Sequence, residues 1–368
     1  MPQRKMILAS GHHVVPMDEE ELQKRVADHT GEVNGMIRLE PGGWLYPKSF
    51  PKLADHLYHF KWKPSDVVVM TWPKCGTTWT QEIIWTMRNN PNLDNPHANV
   101  KLITRVPFLD LDMNQYGLTF EQPGLRILLD ELVDLWKSWP SAGLRFLKVA
   151  KNKIRHPHKG PHILITEVLP EPRTIKTHLP FSLFSPELLN TAKVVFVARN
   201  PKDVIVSFHH HMRLFKGHGY KGSFEDYVKY FVDDNLLYGP YWLMLKEAWE
   251  KRSHPNLHFI FYEDLKADIM KELNKLNDFI GANLNDTQLK NVAEWTSFSA
   301  MKKRNIEESK NIEDIAYNKD VMKNDGGFVR KGKTGDWKEK FTPELETLVD
   351  EWTKTHLGDL GLEFKYSL

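Results

Sequence analysis

Thr71-Trp-Pro-Lys74-Cys75-Gly76-Thr77-Thr78-Trp79 sets a lysine and a glycine between a β-branched run and a segment of helical spacing. A glycine turn at a helix start aims several backbone N–H groups at one point, and the helix dipole adds partial positive charge, so an anion is stabilised there. Lys74 adds a full charge, and Thr77 and Thr78 add hydroxyl donors. The loop is not the nucleotide-kinase form Gly-x-x-x-x-Gly-Lys-[Ser/Thr], because its lysine precedes the glycine. Alone, it is nearly as compatible with a structural turn. A second run, Val194 to Ala198, ends in Arg199, where phosphate-loop kinases usually carry a magnesium-holding aspartate. Arginine there binds phosphate bidentately, and Ser207 in the helix that follows adds a hydroxyl. The third piece is Phe328-Val329-Arg330-Lys331-Gly332, two cations and a glycine able to wrap a phosphate. The fourth, Lys176-Thr177-His178, puts an imidazole of ordinary pKa about 6.5 beside a lysine at a strand end, suited to general-base work. Each piece has a plain structural reading as well: a sheet-capping arginine, an exposed basic loop, a core histidine.

The elements that must hold these residues are legible around them. Short β-branched runs alternate with longer helical segments, the pattern of an α/β fold in which one domain carries a central parallel sheet flanked by helices. Strands are expected at Asp66–Trp72, Arg173–Thr177, Lys193–Ala198 and Leu257–Tyr262, and helices from Thr77 and from Val204, with Pro201 in the first turn of the second. Ligands of open parallel sheets sit at the carboxyl ends of the strands, and each of these four strands ends in a residue that could bind an anion or a base. Residues 1–35 read as a partly disordered N-terminal extension without chemistry, and residues 36–368 as the domain. Within it, 121–162 pairs an apolar stripe (Leu125, Leu128, Leu129, Leu132, Trp136) with a basic half (Lys148, Lys151, Lys153, Arg155, Lys159); the plain reading is a packed amphipathic helix, the sharper one a lid.

Composition excludes several classes. Fifty lysines and arginines against 48 aspartates and glutamates leave no excess for nucleic acid. One cysteine forbids an internal disulfide and fits a reducing, cytoplasmic setting. No apolar run approaches the roughly 20 residues of a membrane span. His209-His210-His211 is not read as a metal site, because consecutive helical residues point in different directions, and no metal is expected.

Taken in order, Lys74–Trp79, Lys176–His178, Arg199-Asn-Pro-Lys-Asp203 with Ser207, and Arg330–Gly332 resemble the donor motifs of the cytosolic sulfotransferases over about residues 66–337. The resemblance implies a P-loop-like site for 3′-phosphoadenosine-5′-phosphosulfate (PAPS), leaving 3′-phosphoadenosine-5′-phosphate (PAP). By it, Lys74, Cys75, Gly76, Thr77 and Thr78 hold the 5′-phosphosulfate, and Trp79, Tyr262, Thr296 and Phe298 meet the adenine. Arg199, Ser207, Arg330 and Gly332 hold the 3′-phosphate with Lys331 beside it, and Phe328 and Val329 also bind the cofactor. It makes His178 the base and Lys74 and Lys176 charge stabilisers, with Phe108 and Leu111 in a pocket for a small lipophilic hydroxylated acceptor: a phenol, sterol, retinoid or other alcohol. Leu111 replaces a second aromatic often seen there.

Three departures stand out. Cys75 replaces a serine; a thiol beside Lys74 is expected to have a lowered pKa and to be blocked by thiol reagents unless donor is bound. The 121–162 segment is similar to an insertion in an arthropod-type member that acts on retinol. The family's C-terminal dimer motif survives only as Lys338, Thr342, Pro343 and Thr347, which points to a monomer or weak homodimer. Competing readings are a nucleotide-dependent kinase, a non-catalytic carrier of an apolar ligand, and a dehydratase in which the sulfate ester eliminates.

Overall fold

The computed structural model of the chain describes residues 6–114, 142–155, 159–309 and 316–368. Its centre is a four-stranded parallel sheet in the order β5-β4-β6-β7, with β4 at Val67–Thr71, β5 at Thr174–Thr177, β6 at Lys193–Ala198 and β7 at Leu257–Phe261. All four lie where the β-branched runs place them. Register pairs Val67 with Thr174 and with Lys193, so the carboxyl ends of β4, β5 and β6 finish side by side. That alignment brings Thr71, Thr177 and Ala198, and the loops after them, to one edge.

The sheet is covered on both faces, as the unbroken apolar runs of β4 and β6 require. Val68, Met70, Val194 and Phe196 join one apolar cluster, while Val67, Val69, Val195 and Val197 join another with Ile83, Ile84, Leu273 and Leu276. Each fully buried aliphatic side chain contributes roughly 1.5–3 kcal/mol. Two helices lead away from the functional edge. Thr77–Asn89 starts at Gly76, held at φ 101°; Pro201–Leu214 is capped by the Asn200 side chain, which accepts the Asp203 N–H at 2.9 Å.

Residues 6–35 differ from the extension expected of them. They carry β1 (His13–Pro16) and helix Glu19–Asp28, and β1 joins β2 (Met36–Glu40) and β3 (Trp44–Pro47) in an antiparallel sheet. Arg25, 1% exposed, donates to Glu32 at 3.0 Å and to the Asn235 side chain at 2.9 Å. A buried ion pair anchors this segment beside a few scattered apolar side chains, Leu8, Val14, Met17 and Leu22, so its polar composition conceals its packing. Gly31 then donates to the His218 carbonyl at 3.0 Å, and a Cβ on Gly31 would lie 1.9 Å from the Gly217 carbonyl oxygen. The apolar half of 121–162, with the whole of its stripe from Leu125 to Trp136, lies outside the described residues. Its basic half forms helix Ala142–Arg155, whose Val149 packs with Leu164, Ile165 and Leu169.

Candidate active site

At the carboxyl edge of the sheet lies a cavity of about 730 Å³. Lys74, Gly76, Thr77, Thr78 and Trp79 line it from the loop after β4, and Lys176 and His178 from the end of β5. Arg199 and Ser207 enter from the loop and helix after β6, Tyr262 from the end of β7, and Thr296 and Phe298 from beyond it. Phe328, Val329, Arg330, Lys331 and Gly332 close one side; Phe108 and Leu111 line the other. Of the residues expected to bind donor or acceptor, Cys75 alone does not line the cavity.

The loop after β4 is shaped for backbone convergence. Lys74 takes φ 68°, a left-handed conformation uncommon outside glycine. A Cβ on Gly76 would stand 2.7 Å from the Tyr262 ring, so only glycine fits this cradle. Arg199 ties the loop to the basic segment by donating to the carbonyls of Lys74 at 3.1 Å and Lys333 at 2.9 Å. Its Nε is enclosed without a partner among the described residues. Arg330 and Lys331 reach Asp336 at 2.6 and 2.5 Å, which fixes the basic loop against the domain.

Burial, and then the charges of Lys176, Arg199 and Arg330, push Lys74 down to about 7. Positive groups gathered at the cost of mutual repulsion, with a buried guanidinium nitrogen unsatisfied, fit a polyanion. The residues therefore fit a phosphorylated nucleotide. Trp79 and Tyr262, their ring centroids 5.7 Å apart, add an aromatic wall suited to a base.

His178 sits where the cation cluster meets the apolar end. Its Nδ1 lies 2.7 Å from the Thr71 carbonyl oxygen, which can only accept, so the proton is on Nδ1 and Nε2 keeps its lone pair. Burial, reinforced by Lys176, holds its pKa well below 6.5, so the ring is neutral at physiological pH. Backbone bonds from Lys176 N to Pro107 O and from Leu109 N to Lys176 O, both 2.9 Å, clamp the Phe108 segment along β5. The Lys176 ammonium thus stands 3.7 Å over the Phe108 ring, and Phe108 stands 5.1 Å from His178.

Sequence reasoning missed Asp110 and Tyr238. Asp110 Oδ1 accepts from the Thr177 hydroxyl at 2.8 Å and from the His178 N–H at 3.2 Å, pinning the turn that carries the histidine. The detectable signal was an acid flanked by two leucines. Tyr238, at φ 70° and with its ring 5.3 Å from His178, had no local signature. Cys75 is a correction: it is fully buried, its sulfur facing the Pro73 carbonyl and the Tyr241 hydroxyl, and burial pushes its thiol up to about 12 rather than down. Loss of hydration outweighs the nearby cations. In the histidine trio, His210 and His211 line the cavity, while the His209 ring packs 5.2 Å from Phe224. Among the described residues no group of three or more metal-ligating side chains gathers, and no helix is long and apolar enough to cross a membrane.

Comparison with known proteins agrees with this geometry. Residues 64–361 match the profile of the sulfotransferase domain. Human sulfotransferase 1E1 is 30% identical over 332 residues, covering 89% of this chain and 95% of its own. The luciferin sulfotransferase of Photinus pyralis is 29% identical over 314 residues, covering 84% and 76%. The crystal structure of retinol dehydratase in complex with retinol and PAP superposes with a TM-score of 0.77 at 28% identity, covering 96% of this chain and 99% of that one. A strand-end lysine loop, an arginine-terminated strand and a basic glycine loop converging on one cavity, in a chain matched over most of its length, make this protein a member of the sulfotransferase family.

Proposed function

We propose that this protein transfers a sulfuryl group from PAPS to the hydroxyl of a small lipophilic acceptor, with His178 as the general base. The observation that carries this reading is the Nδ1–H bond of His178 to the Thr71 carbonyl at 2.7 Å, which leaves Nε2 as a proton acceptor in the cavity that holds the cation cluster. PAPS, when bound, supplies a sulfuryl group whose bond to the 5′-phosphate breaks as the acceptor oxygen bonds to sulfur, the bonding electrons leaving with the phosphate. His178 takes the acceptor proton at Nε2. Lys74 and Lys176 offset the negative charge that grows on the oxygens around sulfur. Arg199, Ser207, Arg330 and Gly332 would hold the 3′-phosphate, and Trp79, Tyr262 and Phe298 the base.

Ile103, Phe108, Leu111, Met113 and Leu237 line the same cavity as His178, which supports a phenol, sterol, retinoid or other apolar alcohol. The likeness to a retinol dehydratase favours a second outcome for allylic alcohols, in which the sulfate ester eliminates; product analysis separates the two. Thr342 caps helix Pro343–Leu357, a role that leaves the proline-broken dimer motif as a helix start and supports a monomer or weak homodimer. The lone buried cysteine supports a cytoplasmic enzyme.

The test is His178→Gln. It is expected to lower kcat by about 10²- to 10⁴-fold while leaving the affinity for PAP unchanged. Unaltered kcat would remove His178 from the chemistry.

A further inference from the structure

Two of the imidazoles that line the cavity, His211 and His218, are not used by the sulfuryl-transfer step. His211 lies one helical turn beyond Ser207 on helix Pro201–Leu214, and His218 lies in the loop that follows; both line the cavity. Their rings are 5.3 Å apart. The surroundings are aromatic: Phe215 stands 4.5 Å and Phe328 5.9 Å from the His211 ring, and Tyr317 packs 4.9 Å from Phe215. Gly31 covers the His218 loop, its N–H bonded to the His218 carbonyl at 3.0 Å.

A polar ring among apolar walls is costly unless something bonds to it. His211 Nδ1 is enclosed and has no partner among the described residues, so any bond from this ring to a cavity ligand would be made by Nε2. Burial, followed by the charges of Lys74, His218 and Lys176, keeps His211 neutral, and burial keeps His218 neutral with a pKa of about 4. A neutral imidazole donates one hydrogen bond and accepts one, which matches a hydroxyl or carbonyl oxygen. A cationic group would be repelled by Lys74 and Lys176. An anionic group would compete for Lys74 and Lys176, which the phosphosulfate of the donor already engages in the reading above.

We propose that His211, supported by His218, selects acceptors that carry a second, uncharged oxygen at a fixed distance from the hydroxyl that reacts at His178. The proposal rests on the sulfuryl-transfer reading above and narrows its acceptor class from any lipophilic alcohol to a two-ended one.

The experiment compares straight-chain primary alkanols with their terminal diols of matched carbon number. Binding to PAP-saturated protein is measured by calorimetry, and kcat/KM with PAPS is measured alongside. In a purely apolar pocket the diol binds more weakly at every length, because its far hydroxyl loses water and gains nothing. The expected result is a reversal at one chain length, the diol binding about tenfold more tightly there, with kcat/KM favouring it beyond the statistical doubling of two equivalent ends. His211→Phe and His218→Phe are expected to abolish the reversal, and His211→Gln to retain part of it; an intact PAP-induced melting shift shows that each variant is folded. A mono-alcohol preference at every length, or a diol preference that survives in His211→Phe, would overturn the proposal. Binding of PAP without sulfation of any alcohol in either series would instead overturn the transfer reading, and this proposal with it.

Discussion

Charge and protons decide the chemistry at the scale of single residues. Lys74, held down to about 7 by burial and by its cationic neighbours, loses its proton in the free protein as pH rises through neutrality. An anionic ligand favours the protonated form, so the complex keeps that proton longer. Affinity for PAP is therefore expected to be fully developed below pH 7 and to weaken by up to about tenfold per pH unit above it, with proton uptake on binding seen by calorimetry in buffers of different ionisation enthalpy. A flat affinity from pH 7 to 9 would show that Lys74 stays charged in the free protein. His178 behaves oppositely: its pKa lies well below 6.5, so the acid limb of kcat/KM is expected below that value. Cys75, with its thiol pushed up to about 12 and no exposure, is expected to resist thiol reagents in the native protein, donor or no donor, and to react only on unfolding. Rapid native modification would contradict its burial. The sequence made the residue types and their order plain; it could not give the sign of this shift, because hydration is lost only through Tyr241 and other residues distant in the chain.

Elements position these groups through close approaches that a glycine permits. At Gly332, φ 61°, a Cβ would fall 2.4 Å from the Phe298 ring. Gly332→Ala is expected to displace Phe298 and weaken PAP binding about tenfold, about 1.4 kcal/mol, with the fold intact by circular dichroism. Gly31→Ala meets the Gly217 backbone instead, which cannot swing aside, and is expected to cost about 1–3 kcal/mol of stability and to raise the acceptor KM; an unchanged melting temperature would contradict the close approach of Gly31 to Gly217. The four parallel strands and the helices at Thr77 and Pro201 were readable because local period and turn chemistry agree there. The N-terminal segment was not, since its anchor is the Arg25–Glu32 pair and its sheet partner is the short strand Met36–Glu40, itself paired with Trp44–Pro47. Asp110 was hidden for a related reason: its role exists only because Pro107–Leu109 pairs along β5, a contact some seventy residues away in the chain.

Across the whole molecule the donor motifs and the apolar end share one cavity, so donor binding and acceptor binding should be coupled to the same fold. PAP at a hundredfold excess over its dissociation constant is expected to stabilise the protein by about 2.7 kcal/mol, read as a rise in melting temperature, and ATP to do markedly less because it lacks a 3′-phosphate for Arg199 and Arg330. The measurement closest to the central claim is transfer of label from ³⁵S-PAPS to a panel of phenols, sterols and retinoid alcohols by the wild-type protein and by His178→Gln. Lys74, Lys176, Arg199 and Arg330 supply the positive charge, so the reaction is run in EDTA. The account predicts a labelled ester, or its elimination products with free labelled sulfate, from the wild type and at most about a hundredth of that rate from the variant. No transfer to any acceptor by a wild-type protein that binds PAP, or equal rates from both proteins, would contradict it.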